Sequence, residues 1–232
     1  MLKEEKAKLL EKVLAVLSPL YPGSPAGRKD RRPLLNFGTP FQLLVATVLS
    51  AQCTDAAVNK VTPLLFAAYP GPGDLAKAPI GELEKIVRST GFFRTKAHNI
   101  KALSVTLVEK YRGEVPQSME DLTALPGVGR KTASVVRAYC FDEAAIVVDT
   151  HFSRVCRRLG LTASQRPKII EEHIAAICAK EKWNETSHVL NLFGRDICHA
   201  RKPDCEKCPV KKICPTGPRP EGEPEIRWNS LK

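Results

Sequence analysis

Three stretches of this 232-residue chain carry residue types spaced for chemistry. In LPGVGRKTASVV, residues 125 to 136, Arg130 and Lys131 follow a turn made of Pro126, Gly127, Val128 and Gly129. Proline fixes φ and glycine permits φ > 0, so the turn is tight. TASVV and the residues after it read as a helix with Val135, Ala138 and Tyr139 on one side. A helix start carries roughly half a positive charge, which makes two cations in its first turn mildly unfavourable. An ordinary lysine is protonated at neutral pH and a poor nucleophile. The helix end, Arg130 and partial burial all favour an uncharged amine, so Lys131 is a candidate for Schiff-base chemistry. The alternative is a lysine on an exposed turn that binds phosphate.

VVDTHFSRV places Asp149 eighteen residues further on, far enough for one helix to end and the chain to return. Asp149 suits the N-cap of the next helix and needs no further role there. If it lines the same pocket as Lys131, it can accept the lysine proton or stabilise positive charge on a sugar. His151 lies beside it, where it can also cap or pack.

CHARKPDCEKCPVKKIC, residues 198 to 214, gathers Cys198, Cys205, Cys208 and Cys214. Structural zinc usually shows two short knuckles. Here only Cys205 and Cys208 form one, and the wider arms suit the separated corners of an iron–sulfur cube. Spacing favours a [4Fe–4S] cluster and leaves zinc open. Arg201, Lys202, Lys207, Lys211 and Lys212 surround the thiols and can offset cluster charge or meet phosphates. Cys53, Cys140, Cys156 and Cys178 are scattered in apolar segments and read as small core residues.

The elements that must position these groups are helical. Hydrophobic content of 43% is enough for one or two cores, and no strand alternation stands out. Helices are expected over residues 3–19, from Pro40 behind a Thr39 cap, from Asp55 behind Thr54 to about Tyr69, and over 79–89, 95–112 and 118–124. YPGPG reads as a break, and Ser118 with Asp121 as a capping box. Further helices are expected over 129–140, from Asp149 to about Leu159, and over 166–180 and 184–197; AAIVVD (144–149) reads as a buried connector or a helix approach. Pro22–Pro33 reads as a basic loop, and the tail from Thr216 as surface or mobile chain. Lys and Arg exceed Asp and Glu by 36 to 25, a net charge of +11, which favours nucleic acid as partner before an anionic membrane. No run of about 18 apolar residues occurs, so a soluble intracellular protein is expected.

Taken together, these residues resemble the endonuclease III family of DNA glycosylases, within the helix–hairpin–helix superfamily. LPGVGRKTASVV resembles the family's hairpin and catalytic helix, VDTHFSRV its aspartate segment, and the four cysteines its [4Fe–4S] loop. LSAQCTDAAVNK (49–60) and GFFRTKAHNI (91–100) also look like family segments. The resemblance implies an all-α, two-lobed fold. One lobe is a six-helix barrel over about residues 33–143; the other is a cluster domain joining 1–32 to 144–232, with substrate entering the cleft between them. It implies Lys131 as nucleophile and Asp149 as catalytic carboxylate, with Gln52 filling the space left by a flipped nucleotide. Phe92 or Phe93 would wedge into the base stack, while Gly127, Val128, Gly129, Arg130 and His151 meet DNA. The implied activity is base-excision removal of oxidised pyrimidines from damaged duplex DNA by a monomer, with β-elimination of the abasic strand. A mismatch glycosylase of the same superfamily, a non-catalytic DNA-binding module and a one-cluster electron carrier are the rivals. A bacterial or archaeal cytoplasm fits, as does a nucleus or organelle.

Overall fold

The computed structural model describes residues 2–22 and 35–217, so most of the Pro22–Pro33 loop and of the C-terminal tail lie outside the described residues. Among the described residues every regular element is a helix. In chain order these are α1 (Lys3–Leu17), α2 (Pro40–Leu49), α3 (Asp55–Ala68), α4 (Pro72–Lys77), α5 (Ile80–Val87), α6 (Phe93–Tyr111), α7 (Met119–Ala124), α8 (Arg130–Cys140), α9 (Thr150–Arg158), α10 (Pro167–Ala175) and α11 (Trp183–Asp196). The chain divides into two compact units, Asp30–Glu143 and a discontinuous one of Met1–Lys29 with Ala144–Lys232.

Several helices begin where a side chain satisfies their first orphan N–H groups. Thr39 Oγ1 accepts from Gln42 N at 3.2 Å, Thr54 Oγ1 from Ala57 N at 3.2 Å, and Ser118 Oγ from Asp121 N at 3.0 Å. The YPGPG segment is not a simple break. Pro72 sits at the first position of α4, where its missing N–H is no loss, and Gly71 N donates to Asp74 Oδ2 at 3.1 Å.

In the unit 30–143, Leu43, Leu44, Leu49 and Leu65 of α2 and α3 pack with Leu83, Ile100, Leu103 and Leu107 as one core. From α8 it takes Ala133 and Val136 as fully buried members, while Val135 and Tyr139 pack against it only partly buried. Of the side expected from sequence, Ala138 is buried and Val135 and Tyr139 are partly buried, and the buried stripe also takes in Ala133, Ser134 and Val136. The other unit buries Val13 and Leu17 of α1 with Phe152 and Val155 of α9, Ile174 of α10 and Val189, Leu190 and Phe193 of α11. Each such side chain contributes about 1.5–3 kcal/mol relative to exposure.

Residues 144–149 form a connector without regular structure, with Ala145, Ile146 and Val148 buried. Its backbone amides find side chains of α11. Ala145 N donates to Asn184 Oδ1 and Val147 N to Ser187 Oγ, both at 2.9 Å. That anchoring sets where Asp149 opens α9. All eight cysteines are free thiols; Cys156 is fully buried, and Cys53, Cys140 and Cys178 are partly so.

Candidate functional site

Residues 125–129 link α7 to α8 as a hairpin. Val128 N donates to Leu125 O at 3.1 Å, and the Val128 side chain is buried, which pins the turn to its unit's core. Gly127 takes φ +76, a region only glycine enters without strain. It also lies against Asn99 of α6, so closely that an added Cβ would sit 2.8 Å from Asn99 Cβ. Gly129 is the N-cap of α8 and has no side chain to satisfy the first-turn amides. The hairpin thus presents uncapped N–H groups at a positive helix end, a ready anion site.

Arg130 and Lys131 occupy that first turn, and both are exposed. The partial burial expected for Lys131 is not found. Its position follows from the buried stripe of Ala133, Ser134, Val136 and Ala138, which turns the start of the helix outward.

Asp149 is the N-cap of α9, with Oδ1 accepting from Phe152 N at 2.8 Å. Its second oxygen, Oδ2, accepts from Asn191 Nδ2 on α11. Arg195 Nε in turn donates to Asn191 Oδ1 at 3.0 Å. His151 stands one position into the same helix with Arg154 Nη2 3.3 Å from its Nδ1. Burial holds His151 below the usual imidazole value; Asp149 opposes this, and Arg195 and Arg154 reinforce it. Gly194 lets α9 and α11 approach, since a Cβ there would lie 3.0 Å from Val155 Cγ2 and 3.1 Å from His151 Cβ.

Gln52 lies exposed in the loop after α2, with φ +52. The two phenylalanines separate clearly. Phe92 takes φ +47 and is 68% exposed. Phe93 packs half-buried on the core, with the Arg94 guanidinium 5.4 Å from its ring centroid. Behind them Lys96, 4% exposed, donates from Nζ to Thr90 O at 2.6 Å and holds the turn from which Phe92 projects. Burial lowers the Lys96 pKa, and the nearby Cys53 opposes the shift.

Cys198, Cys205, Cys208 and Cys214 line one cavity of about 280 Å³, together with Val155, Phe193 and Arg158. Four thiols around one cavity of this size can take the corners of an iron–sulfur cube. Burial first, and then the thiolates of Cys198 and Cys214, push the Cys205 thiol up. Ionised together, four thiols around one cavity would repel one another, and a cationic centre between them would offset that repulsion. Arg158 Nη1 donates to Cys198 Sγ at 3.2 Å and to His199 O at 2.7 Å, and Nη2 to Ala200 O at 3.1 Å. Arg154 Nε adds a bond to Cys198 O at 2.8 Å. Sequence reading missed Asn191, Arg195, Lys96, Arg154 and Arg158; only the last two carry a signal, as basic residues at helical spacing in the Asp149 segment.

Comparison with known proteins identifies the family. Residues 45–180 match the HhH-GPD superfamily of base excision DNA repair proteins, and residues 198–214 match the iron–sulfur binding domain of endonuclease III. Endonuclease III of Synechocystis sp. is 45% identical over 212 residues, covering 91% of this chain and 94% of that protein. The Bacillus subtilis endonuclease III is 46% identical over 179 residues, 77% and 82% of the two chains. A solved structure of a trapped endonuclease III–DNA covalent intermediate is similar with TM-score 0.83 and 41% identity, covering 94% of this chain and 97% of that one. A thermostable thymine-DNA glycosylase is similar with TM-score 0.78 and 26% identity, over 90% and 96%. The all-α fold with its hairpin, and the match of residues 198–214 to an iron–sulfur binding domain, which brings a [4Fe–4S] cluster with it, therefore mark a DNA-binding base-excision glycosylase: the chain belongs to the endonuclease III family.

Proposed function

We propose that this glycosylase removes oxidised pyrimidines from duplex DNA and then cuts the abasic strand through a Schiff base on Lys131. The observation that carries the reading is Lys131 on the exposed first turn of α8, directly after a glycine hairpin with uncapped amides. A base within the duplex is out of reach, so its nucleotide is turned out, at a cost of a few kcal/mol that damage reduces. The hairpin amides of Gly127, Val128 and Gly129 bind a backbone phosphate, and Arg130 adds charge. Phe92, exposed on its strained turn, wedges into the stack, and Gln52 fills the space left behind; Phe93 is a packing residue. His151 lies beside Asp149 and meets the DNA near it.

Uncharged Lys131 Nζ attacks C1′ of the deoxyribose. The C1′–N bond breaks, its electron pair leaves with the base, and the lysine is left protonated. Asp149 stabilises oxocarbenium character at C1′ and accepts that proton. Ring opening gives the Schiff base, which makes the C2′ proton acidic. Its loss expels the 3′ phosphate and nicks the strand. Water exclusion around the amine, missing in the free chain, is supplied by the bound nucleotide. The cluster takes no step in this scheme; it holds the basic loop 198–214 for DNA. The protein acts as a monomer in the cytoplasm.

Borohydride trapping on duplex containing an oxidised pyrimidine tests the assignment. The expected result is a covalent protein–DNA adduct with the unaltered chain and none with Lys131→Ala. An adduct that persists in Lys131→Ala overturns it. Duplexes carrying an abasic site or a T·G mismatch, assayed in parallel, decide the substrate class.

A further inference from the structure

Asp149 is bonded at both carboxylate oxygens within its own unit, and one of the two donors has no place in the mechanism above. Phe152 N reaches Oδ1 because Asp149 caps α9, which any helix start could use. Asn191 Nδ2 reaches Oδ2 from a different helix, 42 residues away. We propose that Asn191 is a positioning residue that holds the Asp149 carboxylate in one rotamer, with Arg195 fixing the direction of the Asn191 amide. This rests on the reading of Asp149 as the catalytic carboxylate.

The chemistry is set by the groups each side chain can donate. An asparagine amide has one accepting and one donating end of nearly the same shape, and its orientation is set by its neighbours. A guanidinium only donates. Arg195 Nε, 3.0 Å from Asn191 Oδ1, therefore fixes the oxygen on its own side and turns Nδ2 toward Asp149. A carboxylate accepts that bond, whereas a carboxyl protonated on Oδ2 would set hydrogen against hydrogen. The bond thus orients the carboxylate, the group that stabilises an oxocarbenium ion and takes up the lysine proton.

Other charged groups face Asp149 as well. Arg154 on α9 acts on it as a positive charge, and Arg195 stands behind Asn191 on α11. His151 faces it from the same helix, kept below the usual imidazole value by burial. Cys156 is fully buried, which pushes its thiol far up and out of the working range. His151, whose imidazole is held below its ordinary value, is the one neighbour among these that gains a proton on the acid side, so the test is run in both the unaltered chain and a His151→Gln background.

The experiment is the single-turnover glycosylase rate against pH, using the cluster-loaded full chain and duplex with one oxidised pyrimidine. Asn191→Leu keeps the side-chain bulk and removes the donor. Its maximal rate is expected to fall roughly tenfold or more, the effect of losing one hydrogen bond to a charged group. The acidic limb moves to higher pH, and the DNA dissociation constant stays within about twofold. Arg195→Met, which frees the amide without emptying the site, moves both readouts the same way by less. Cluster absorbance and the melting midpoint establish that each variant is folded. An unmoved acidic limb with a rate within about twofold of the unaltered chain, in folded Asn191→Leu or Arg195→Met, overturns the positioning role. Asp149→Asn separates the two claims: if it is inactive while Asn191→Leu is not, only the inference about Asn191 fails. If Asp149→Asn is fully active, the catalytic reading of Asp149 fails and takes the inference with it.

Discussion

Replacing Gly127 by alanine tests whether the hairpin is built on backbone geometry. The structure imposes two costs. At φ +76 an L side chain enters the left-handed region, at about 1–2 kcal/mol. The new Cβ would also lie 2.8 Å from Asn99 Cβ and Nδ2 and 2.9 Å from Asn99 Cγ, and relief of such overpacking costs about 1–3 kcal/mol. The expected loss of about 2–5 kcal/mol is a large share of the ~5–15 kcal/mol of a typical domain. A double-mutant cycle separates the parts. Asn99→Ala leaves its own Cβ in place and should restore little. Asn99→Gly removes the clash, at about 1 kcal/mol of helix propensity in α6, and should show a favourable coupling of about 1–3 kcal/mol with Gly127→Ala. The backbone term remains in every combination. Urea unfolding at constant slope gives the energies, and fluorescence anisotropy on DNA across a salt series reports the phosphate contact. A loss below about 0.5 kcal/mol for Gly127→Ala, or full recovery with Asn99→Ala, would refute the reasoning.

Arg158→Met should weaken retention of the cluster, because Cys198 Sγ and the carbonyls of His199 and Ala200 lose their donors while the apolar stem is kept. The expected readout is faster bleaching of the visible absorbance under an iron chelator, and an unchanged half-life would count against the role of this clasp. His188 supplies a pH prediction. Burial lowers its pKa, and a hydrogen bond to the Pro22 backbone opposes the shift. The unfolded chain then binds a proton at about pH 6.5, before the folded one does. Its contribution is intact above that value and is lost as pH falls through it toward the folded pKa. The urea midpoint of His188→Gln should therefore fall less between pH 7 and 5 than that of the unaltered chain, in a His151→Gln background that removes the parallel shift; equal falls would exclude it.

What the sequence discloses of this fold is local. Thr39, Thr54, Ser118 and Asp149 announce helix starts because a cap bonds to an amide three residues away, within one short window. The hairpin is equally legible, since Gly127 and Gly129 act through their own backbone. α4 escapes because YPGPG carries two signals at once. The same Pro72 that ends one helix pattern is a favourable first residue for the next, and Asp74 decides the matter by reaching back to Gly71 N. Phe92 and Phe93 are adjacent and chemically identical, so only the φ of +47 at Phe92 tells which ring is turned out and which packs.

The site divides along the same line. Lys131, Asp149 and the four cysteines are candidates that can be nominated from residue type, spacing and family resemblance before the fold is known. Their supports cannot. Arg158 clasps the cysteine loop from about 40 residues away, and Asn191 reaches Asp149 across 42. Both contacts exist because α9 lies against its unit's later residues, an approach that Gly194 permits by lacking a Cβ. An asparagine within a helix is unremarkable in a linear reading, and an arginine one turn later reads as a solvated face. Only when Arg195 is seen donating to Asn191 does the amide acquire a direction, and only then does Asn191 become a donor aimed at a carboxylate. The candidate groups of such a site can be nominated from the sequence, whereas their orientation is a property of the packing.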